Sequence, residues 1–133
     1  MEIPEYEQSW VAALNRGDAA AAHGIFAPHC MIHMNGGHKP DLNLTEFVGL
    51  VSALLSAFPG LQFRIEDAAV ARDKVAFRWI AEGTHSGAFG PLAATGRRVV
   101  VNRLILDHVS AGKVTERWEI WDQAGLMQQL GVG

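Results

Sequence analysis

The stretch from residue 113 to residue 131 constrains the fold more than any other part of this chain. Residues 114–121, VTERWEIW, are rich in β-branched and aromatic side chains and follow a turn, which predicts a strand. Asp122 is well placed to cap a short helix, which Gly131 would end. We therefore expect a strand that passes directly into a helix.

The predicted strand carries two carboxylates whose spacing separates them. Side chains alternate between two faces along a strand, so Glu116 and Glu119 point in opposite directions. Glu119 shares its face with Arg117 and Trp121. Because only one face can look inward, only one of the two glutamates is a candidate for chemistry.

The first part of the chain predicts three helices and one short strand. An amphipathic helix ends at Gly17, and an Ala-rich helix follows it. Pro28 breaks the helical pattern before a short strand over residues 30–35. The third helix gives the strongest signal, because it opens on a capping-box pattern at Asn43 and Glu46 and then carries apolar residues at helical spacing.

The remaining segments alternate in the manner of half-buried strands, at residues 61–66, 75–86, 97–108 and 114–121. Helices followed by antiparallel strands predict an α+β fold. A strongly curved sheet that covers one long helix would enclose an apolar space. We therefore expect one domain over residues 1–133, with one cavity.

Composition excludes several classes of function. The net charge of −3 and the 49% hydrophobic content argue against disorder and against a nucleic-acid partner. No apolar run approaches the ~20 residues of a membrane span, and the first residues lack a signal-peptide pattern. The single cysteine, Cys30, allows no internal disulfide, so we expect a cytoplasmic domain. No phosphate-binding loop, metal-ligand spacing or other cofactor motif is present, and we predict neither metal nor cofactor.

The last two strands are expected to form a hairpin. Its register can be estimated by placing His108 opposite Glu116 across the turn. The same register places Arg103 opposite Trp121 and diagonal to Glu119, within reach of its carboxylate. Because the other face of the hairpin also carries apolar side chains, periodicity leaves open which face is inside; these side chains are Leu104, Leu106, Trp118 and Ile120.

Three motifs carry a resemblance to a known family: GKVTERWEIWDQAGLMQQLG at 112–131, GTHSG at 83–87 and TGRRV at 95–99. Together they resemble the SnoaL-like polyketide cyclases, which belong to the nuclear transport factor 2-like and ketosteroid-isomerase-like proteins. The resemblance implies a cystatin-like, cone-shaped antiparallel sheet wrapped on helices around an apolar pocket. It also implies cofactor-free chemistry on a hydrophobic small molecule and a homodimer.

The resemblance also indicates which face of the hairpin is inside. In cyclase-like relatives the general acid/base is an aspartate just after the tryptophan position of this strand, and Glu119 occupies that position here. A carboxylate is retained, but it is longer by one methylene. The face that carries Leu104 and Ile120 would then be convex, and we expect it to form the dimer interface.

Glu119 and Arg103 each have a catalytic and a structural interpretation. In an apolar pocket walled by Trp121, Glu119 could act as a general base. It could instead form a structural ion pair with Arg103. Arg103 could stabilise an enolate oxygen, or it could simply be the partner of that glutamate.

Two histidines complete the candidate catalytic residues. His33 could donate a hydrogen bond or shuttle a proton, although a structural wall histidine is equally consistent. His85 shares strand parity with Phe77 and Trp79, which places it near the cavity mouth. Asp122 is explained by its capping position. Substrate contacts are expected from Trp10, Leu14, Phe47, Leu50, Trp79 and Trp121.

Two classes of function remain open. In the first, Glu119 removes a proton next to a carbonyl, and the enolate closes a ring by aldol chemistry or, as in a steroid-type ketone isomerase, is reprotonated elsewhere. In the second, the domain is a non-catalytic module that binds an apolar ligand or dimerises. Epoxide hydrolysis of the limonene-epoxide hydrolase type requires an acid two residues after the arginine, and Ile105 occupies that position beyond Arg103.

Overall fold

The structure, a computed structural model, describes residues 2–35 and 40–132. Residues 36–39, part of the loop predicted from residue 35 to residue 41, lie outside the described residues. The described chain forms four α-helices, one 3-10 turn and six strands, in the order α1 (Glu5–Asn15), a 3-10 turn (Ala19–Ala21), α2 (Ala22–Ile25), β1 (Phe26–Met34), β2 (Leu42–Asn43), α3 (Leu44–Ala57), β3 (Gln62–Ala71), β4 (Lys74–Thr84), β5 (Arg98–Ser110), β6 (Lys113–Trp121) and α4 (Gln123–Leu130).

The strands form one curved, unclosed sheet in the order β2-β1-β6-β5-β4-β3. Neighbouring strands are antiparallel, except that β1 and β6 run parallel. The α+β prediction is therefore confirmed. None of the described helices has the length and apolar character needed to cross a membrane.

The predicted start of the first strand at residue 30, after Pro28, was wrong, because β1 begins at Phe26 and runs through the proline. Its register against β6 shifts between Phe26 and Met31. An irregular stretch of this kind tolerates a residue that cannot donate a ladder hydrogen bond, and Pro28 is exposed there. The Ala-rich helix, predicted to run from an Asp18 cap to about Phe26, is capped by Asp18 and ends at Ile25, but its first turn is 3-10.

The predicted hairpin register between β5 and β6 is confirmed. His108 pairs with Glu116, and Arg103 pairs with Trp121. Glu119 is buried on the concave face, whereas Glu116 lies on the convex face, where Leu104, Leu106 and Ile120 are exposed. The capping box of α3 is also present, since the Asn43 and Glu46 side chains bond reciprocally to each other's backbone N–H groups.

The packing of the interior differs between the two ends of α3. Near its start, Trp10 of α1 packs against Phe26 and Phe47, with ring centroids 5.4 and 6.1 Å apart. Trp79 packs edge-on against Phe63 on the same side of the molecule. This end is a solid aromatic core, and the open space lies further along α3, toward α4.

Candidate active site

A cavity of about 80 Å³ lies between α3, the concave face of the sheet and α4. Its wall is almost entirely apolar, and its charged side chains are Arg103 and Glu119, which lie beside Trp121. A polar end inside an apolar enclosure is the usual form of a small-molecule site. The apolar lining comprises Met34, Phe47, Leu50, Val51, Leu54, Phe58, Leu61, Ala81, Phe89, Leu92, Val99, Val101, Leu126, Met127 and Leu130.

Glu119 is 1% exposed and is held loosely by two guanidinium groups. Its Oε2 atom lies 3.3 Å from Nη1 of Arg103, and its Oε1 atom lies 3.5 Å from Nη1 of Arg117. Charge-assisted hydrogen bonds of this type are usually about 2.7–2.9 Å long. Glu119 is therefore desolvated and close to positive charge without being locked into a short ion pair.

Arg103 and Trp121 place hydrogen-bond donors beside this carboxylate. The Arg103 guanidinium lies over the Trp121 ring, 5.6 Å from its centroid. Arg103 Nε and Trp121 Nε1 are buried and make no hydrogen bond within the described part of the chain. N–H donors at such a position are suited to stabilise negative charge that develops on a ligand oxygen.

Behind Glu119, Arg117 organises a buried network that the sequence analysis did not predict. Its Nε and Nη2 atoms donate to the two carboxylate oxygens of Asp107, at 2.7 and 2.8 Å. Its Nη2 atom also donates to Glu7 Oε1 on α1, at 2.9 Å. The Tyr6 hydroxyl donates to Asp107 Oδ2 at 2.7 Å. The strong hydrogen bonds of Arg117 are thus directed at Asp107 and Glu7 rather than at Glu119.

Burial and charge shift the ionisation of this network. Burial raises the pKa of Glu7 to about 8, against the opposing effect of the Arg117 charge. Burial alone would lower the pKa of Arg117, but the neighbouring acidic groups, above all Asp107, outweigh it and raise that pKa. Burial, with the neighbouring Asp107 charge, also raises the pKa of Tyr6. Near neutral pH we therefore expect Glu7 and Tyr6 to be protonated and Arg117 to be charged.

The structure does not bring His33 to the cavity. Its side chain lies on the convex face, where it stacks on Trp118 at a centroid distance of 5.0 Å. Its two ring nitrogens contact Asp41 Oδ1 at 2.7 Å and Glu116 Oε2 at 2.6 Å. The alternation of side chains along β1 explains this placement. Ile32 and the residues two positions away from it face the concave side, so His33 faces the convex side. The sheet separates His33 from Glu119.

His85 lies one layer behind the cavity wall. It is fully buried, and its ring packs 5.1 Å from that of Phe58, which lines the cavity. His85 Nδ1 accepts a hydrogen bond from the backbone N–H of Thr95 at 3.1 Å. His85 therefore supports the loop after β4 and does not itself line the cavity.

The predicted substrate contacts divide into two groups. Phe47, Leu50 and Trp121 line the cavity. The other three positions are corrected: Trp10, Leu14 and Trp79 do not line it, because they fill the solid core at the opposite end of α3.

Two further predictions concern polar groups near the site. Asp122 is the N-cap of α4, as expected, and accepts a hydrogen bond from the Gly125 N–H at 2.8 Å. Across residues 2–35 and 40–132, His, Cys, Asp and Glu side chains form no group of three or more that could hold a metal ion.

The architecture matches the ketosteroid isomerase-like fold. A protein of that fold from Catenulispora acidiphila, solved with trimethylamine, is 16% identical and superimposes with a TM-score of 0.81 over 96% of its own chain and 99% of this one. At this identity the likeness defines the fold class.

The family follows from the sequence. The model of the SnoaL-like polyketide cyclase family matches residues 5–130, so the chain belongs to this family. IdmH from Streptomyces antibioticus, a proposed polyketide cyclase, is 27% identical, with a TM-score of 0.83 and coverage of 96% of this chain and 97% of its own. AclR from Streptomyces galilaeus, a proposed hydroxylase, is 28% identical, with a TM-score of 0.85 and coverage of 95% and 92%. No curated protein matches the chain at a significant level.

Proposed function

We propose that this protein is a cofactor-independent enzyme that removes a proton next to a carbonyl group of a hydrophobic substrate, with Glu119 as the base. The observation that carries the proposal is the state of the Glu119 carboxylate. It is 1% exposed, it belongs to the wall of an apolar cavity, and its nearest cations are 3.3 and 3.5 Å away. A desolvated carboxylate that is not locked in an ion pair can accept a proton from carbon.

Arg103 supplies the complementary charge. As Glu119 takes the proton, negative charge moves onto the carbonyl oxygen of the substrate and forms an enolate. The Arg103 guanidinium lies at the same end of the cavity as the carboxylate, so it can stabilise that oxygen. The enolate carbon then attacks a second carbonyl of the same molecule, and the new alkoxide takes a proton, which completes an aldol ring closure. Membership of the cyclase family and the likeness to IdmH favour this outcome over simple isomerisation.

The cavity restricts the substrate. Its apolar wall favours a flat hydrocarbon body with carbonyl groups at one end. A volume of about 80 Å³ is well below the roughly 300–1,000 Å³ of sites that hold drug-sized ligands. A polycyclic substrate would therefore have to displace side chains at the wall. Met34 and Met127 line the cavity, and their unbranched side chains can rearrange more readily than β-branched ones.

Epoxide hydrolysis is less well supported. An arginine between two acids does occur, at Arg117 rather than at Arg103, with Glu119 two residues after it and Asp107 on the neighbouring strand. However, Arg117 and Asp107 are fully buried and do not line the cavity. An epoxide in the cavity would therefore meet only one of the two acids.

A comparison of binding with turnover tests the proposal. Aromatic β-keto esters that carry a second carbonyl would be titrated into wild type and Glu119→Gln by calorimetry, and products would be identified by mass spectrometry. We expect both proteins to bind, and only wild type to form a ring-closed product. Glu116→Gln is the matched control, because it makes the same change on the same strand but on the convex face. Equal turnover by Glu119→Gln would exclude this base, and binding without turnover by wild type would favour a binding module.

A further inference from the structure

The charges around Glu119 do not balance if every carboxylate is ionised. The buried charge cluster contains two guanidinium groups and three carboxylates, linked by the contacts described above: Glu7, Arg103, Asp107, Arg117 and Glu119. With all five ionised, the cluster would carry one uncompensated negative charge in a dry interior. Burial of an unpaired charge is strongly unfavourable, so one carboxylate is expected to hold a proton.

Of the three carboxylates in the cluster, Glu7 has the contacts that least stabilise its ionised form. Asp107 accepts two short hydrogen bonds from Arg117 and a third from Tyr6, so its ionised form is well solvated by the protein. Glu7 accepts one hydrogen bond from Arg117, and its other oxygen, Oε2, is buried without a hydrogen-bond partner within the described residues. Glu119 has contacts to both arginines.

We infer that Glu7 holds a proton in the resting protein, which makes the buried charge cluster electrically neutral and leaves Glu119 as the ionised carboxylate that faces the cavity. Glu7 is thus a positioning residue that acts through Arg117, and its influence on the reaction rests on the proposed function of Glu119. The pKa of Glu7, raised to about 8 by burial, is consistent with this assignment.

Tyr6, the sequence neighbour of Glu7, and Cys30 on β1 do not change charge in this range. Burial raises the pKa of the Cys30 thiol to about 11 and also raises that of Tyr6, so both remain neutral near pH 7. The titratable groups that act on Glu7 from α1, β5 and β6 are Tyr6, Asp107, Arg117 and Glu119.

Protonation of Glu7 matters for the reaction because of where negative charge develops. When Glu119 takes a proton from the substrate, its charge is replaced by that of the enolate, and the neutral cluster remains neutral overall. If Glu7 is ionised, its charge repels the Glu119 carboxylate more strongly than it repels an enolate in the cavity, because Glu7 is coupled to Glu119 through Arg117 and does not line the cavity. Glu119 then becomes a stronger base, so substrate deprotonation is expected to accelerate as pH rises through the ionisation of Glu7.

Carbon-detected NMR of wild type labelled at the glutamate carboxyl carbons tests the ionisation directly. The Glu7 signal, assigned through bonds from its backbone, should be that of a protonated carboxyl at about pH 6 and should titrate near pH 8. This measurement requires no substrate, so it stands even if the proposed function fails. A Glu7 carboxyl that is ionised throughout would overturn the inference.

The pH dependence of substrate deprotonation tests the coupling. In wild type the rate should be higher above the Glu7 midpoint than below it. Glu7→Gln has a side chain that cannot ionise, so this rise should be absent in the variant. Glu116→Gln should keep the wild-type profile. An alkaline rise that persists in Glu7→Gln would contradict the coupling; if that variant fails to fold, the NMR titration decides the inference alone.

Discussion

Glu119 and Arg103 come from neighbouring strands and meet at the polar end of the cavity, with 3.3 Å between Oε2 and Nη1. The separation is longer than a tight ion pair, although both side chains are largely buried. Two opposite charges in this arrangement can respond to a ligand: one can accept a proton while the other stabilises the resulting anion.

Replacement of Arg117 should destabilise the protein severely. Arg117→Met leaves the Asp107 carboxylate buried without its cation, and loss of one partner of a buried pair costs about 3–5 kcal/mol. The free energy of unfolding would be measured by urea denaturation. Arg78→Met is the control, because the Arg78–Asp67 pair is exposed and should contribute about 1 kcal/mol or less. Similar losses in the two variants would contradict the role assigned to Arg117.

The stability of wild type should fall with rising pH because of Glu7. Its pKa is raised from 4.5 to about 8 on folding, so between these values the native state binds more protons than the unfolded state. In that window the free energy of unfolding decreases as pH rises. The free energy of unfolding of Glu7→Gln should not show this decrease with pH. In urea denaturation across this window, wild type should lose stability relative to Glu7→Gln as pH rises, whereas parallel curves would exclude a protonated Glu7.

His33 should titrate above its ordinary range. Hydrogen bonds to Asp41 and Glu116 raise its pKa above 6.5, so its ion-pair contribution to stability is present at low pH and is lost as pH rises through the raised value. Glu116→Gln should lower the midpoint measured by proton NMR. Glu66→Gln, on β3 at the other side of the sheet, should leave it unchanged. A midpoint that is insensitive to Glu116 would show that the contact is not formed in solution.

We expect a second copy of the chain to cover the convex face. Leu104 and Ile120 on that face are 57% and 54% exposed, and Leu106 lies beside them. A contiguous apolar patch on a sheet is typical of an interface. Ile120→Glu should shift the protein toward monomer in sedimentation experiments. Val70→Glu, at a position with the same 54% exposure on β3, should not; a monomeric wild type would refute the expectation.

The sequence predicted the hairpin register, and with it the placement of Arg103 beside Glu119. That register also sets Asp107 opposite Arg117, so a buried Arg–Asp pair could have been predicted from the same alternation once an arginine was seen on the inward face. The participation of Glu7 could not have been predicted, because the periodicity of apolar residues in strands and helices does not specify how α1 docks on the sheet. For the same reason Trp10, which also lies on α1, was wrongly assigned to the cavity wall.

Hydrogen–deuterium exchange at carbon tests the central claim most directly. Aromatic β-keto esters and a steroid enone would be incubated in D₂O with wild type, Glu119→Gln and Glu116→Gln, and deuterium incorporation next to the carbonyl would be followed by NMR. Exchange reports proton removal even when the true product cannot form. If Glu119 is the base, its replacement should slow exchange by about 10²–10⁴-fold, and Glu116→Gln should match wild type. Exchange that is equally fast in Glu119→Gln would contradict the account.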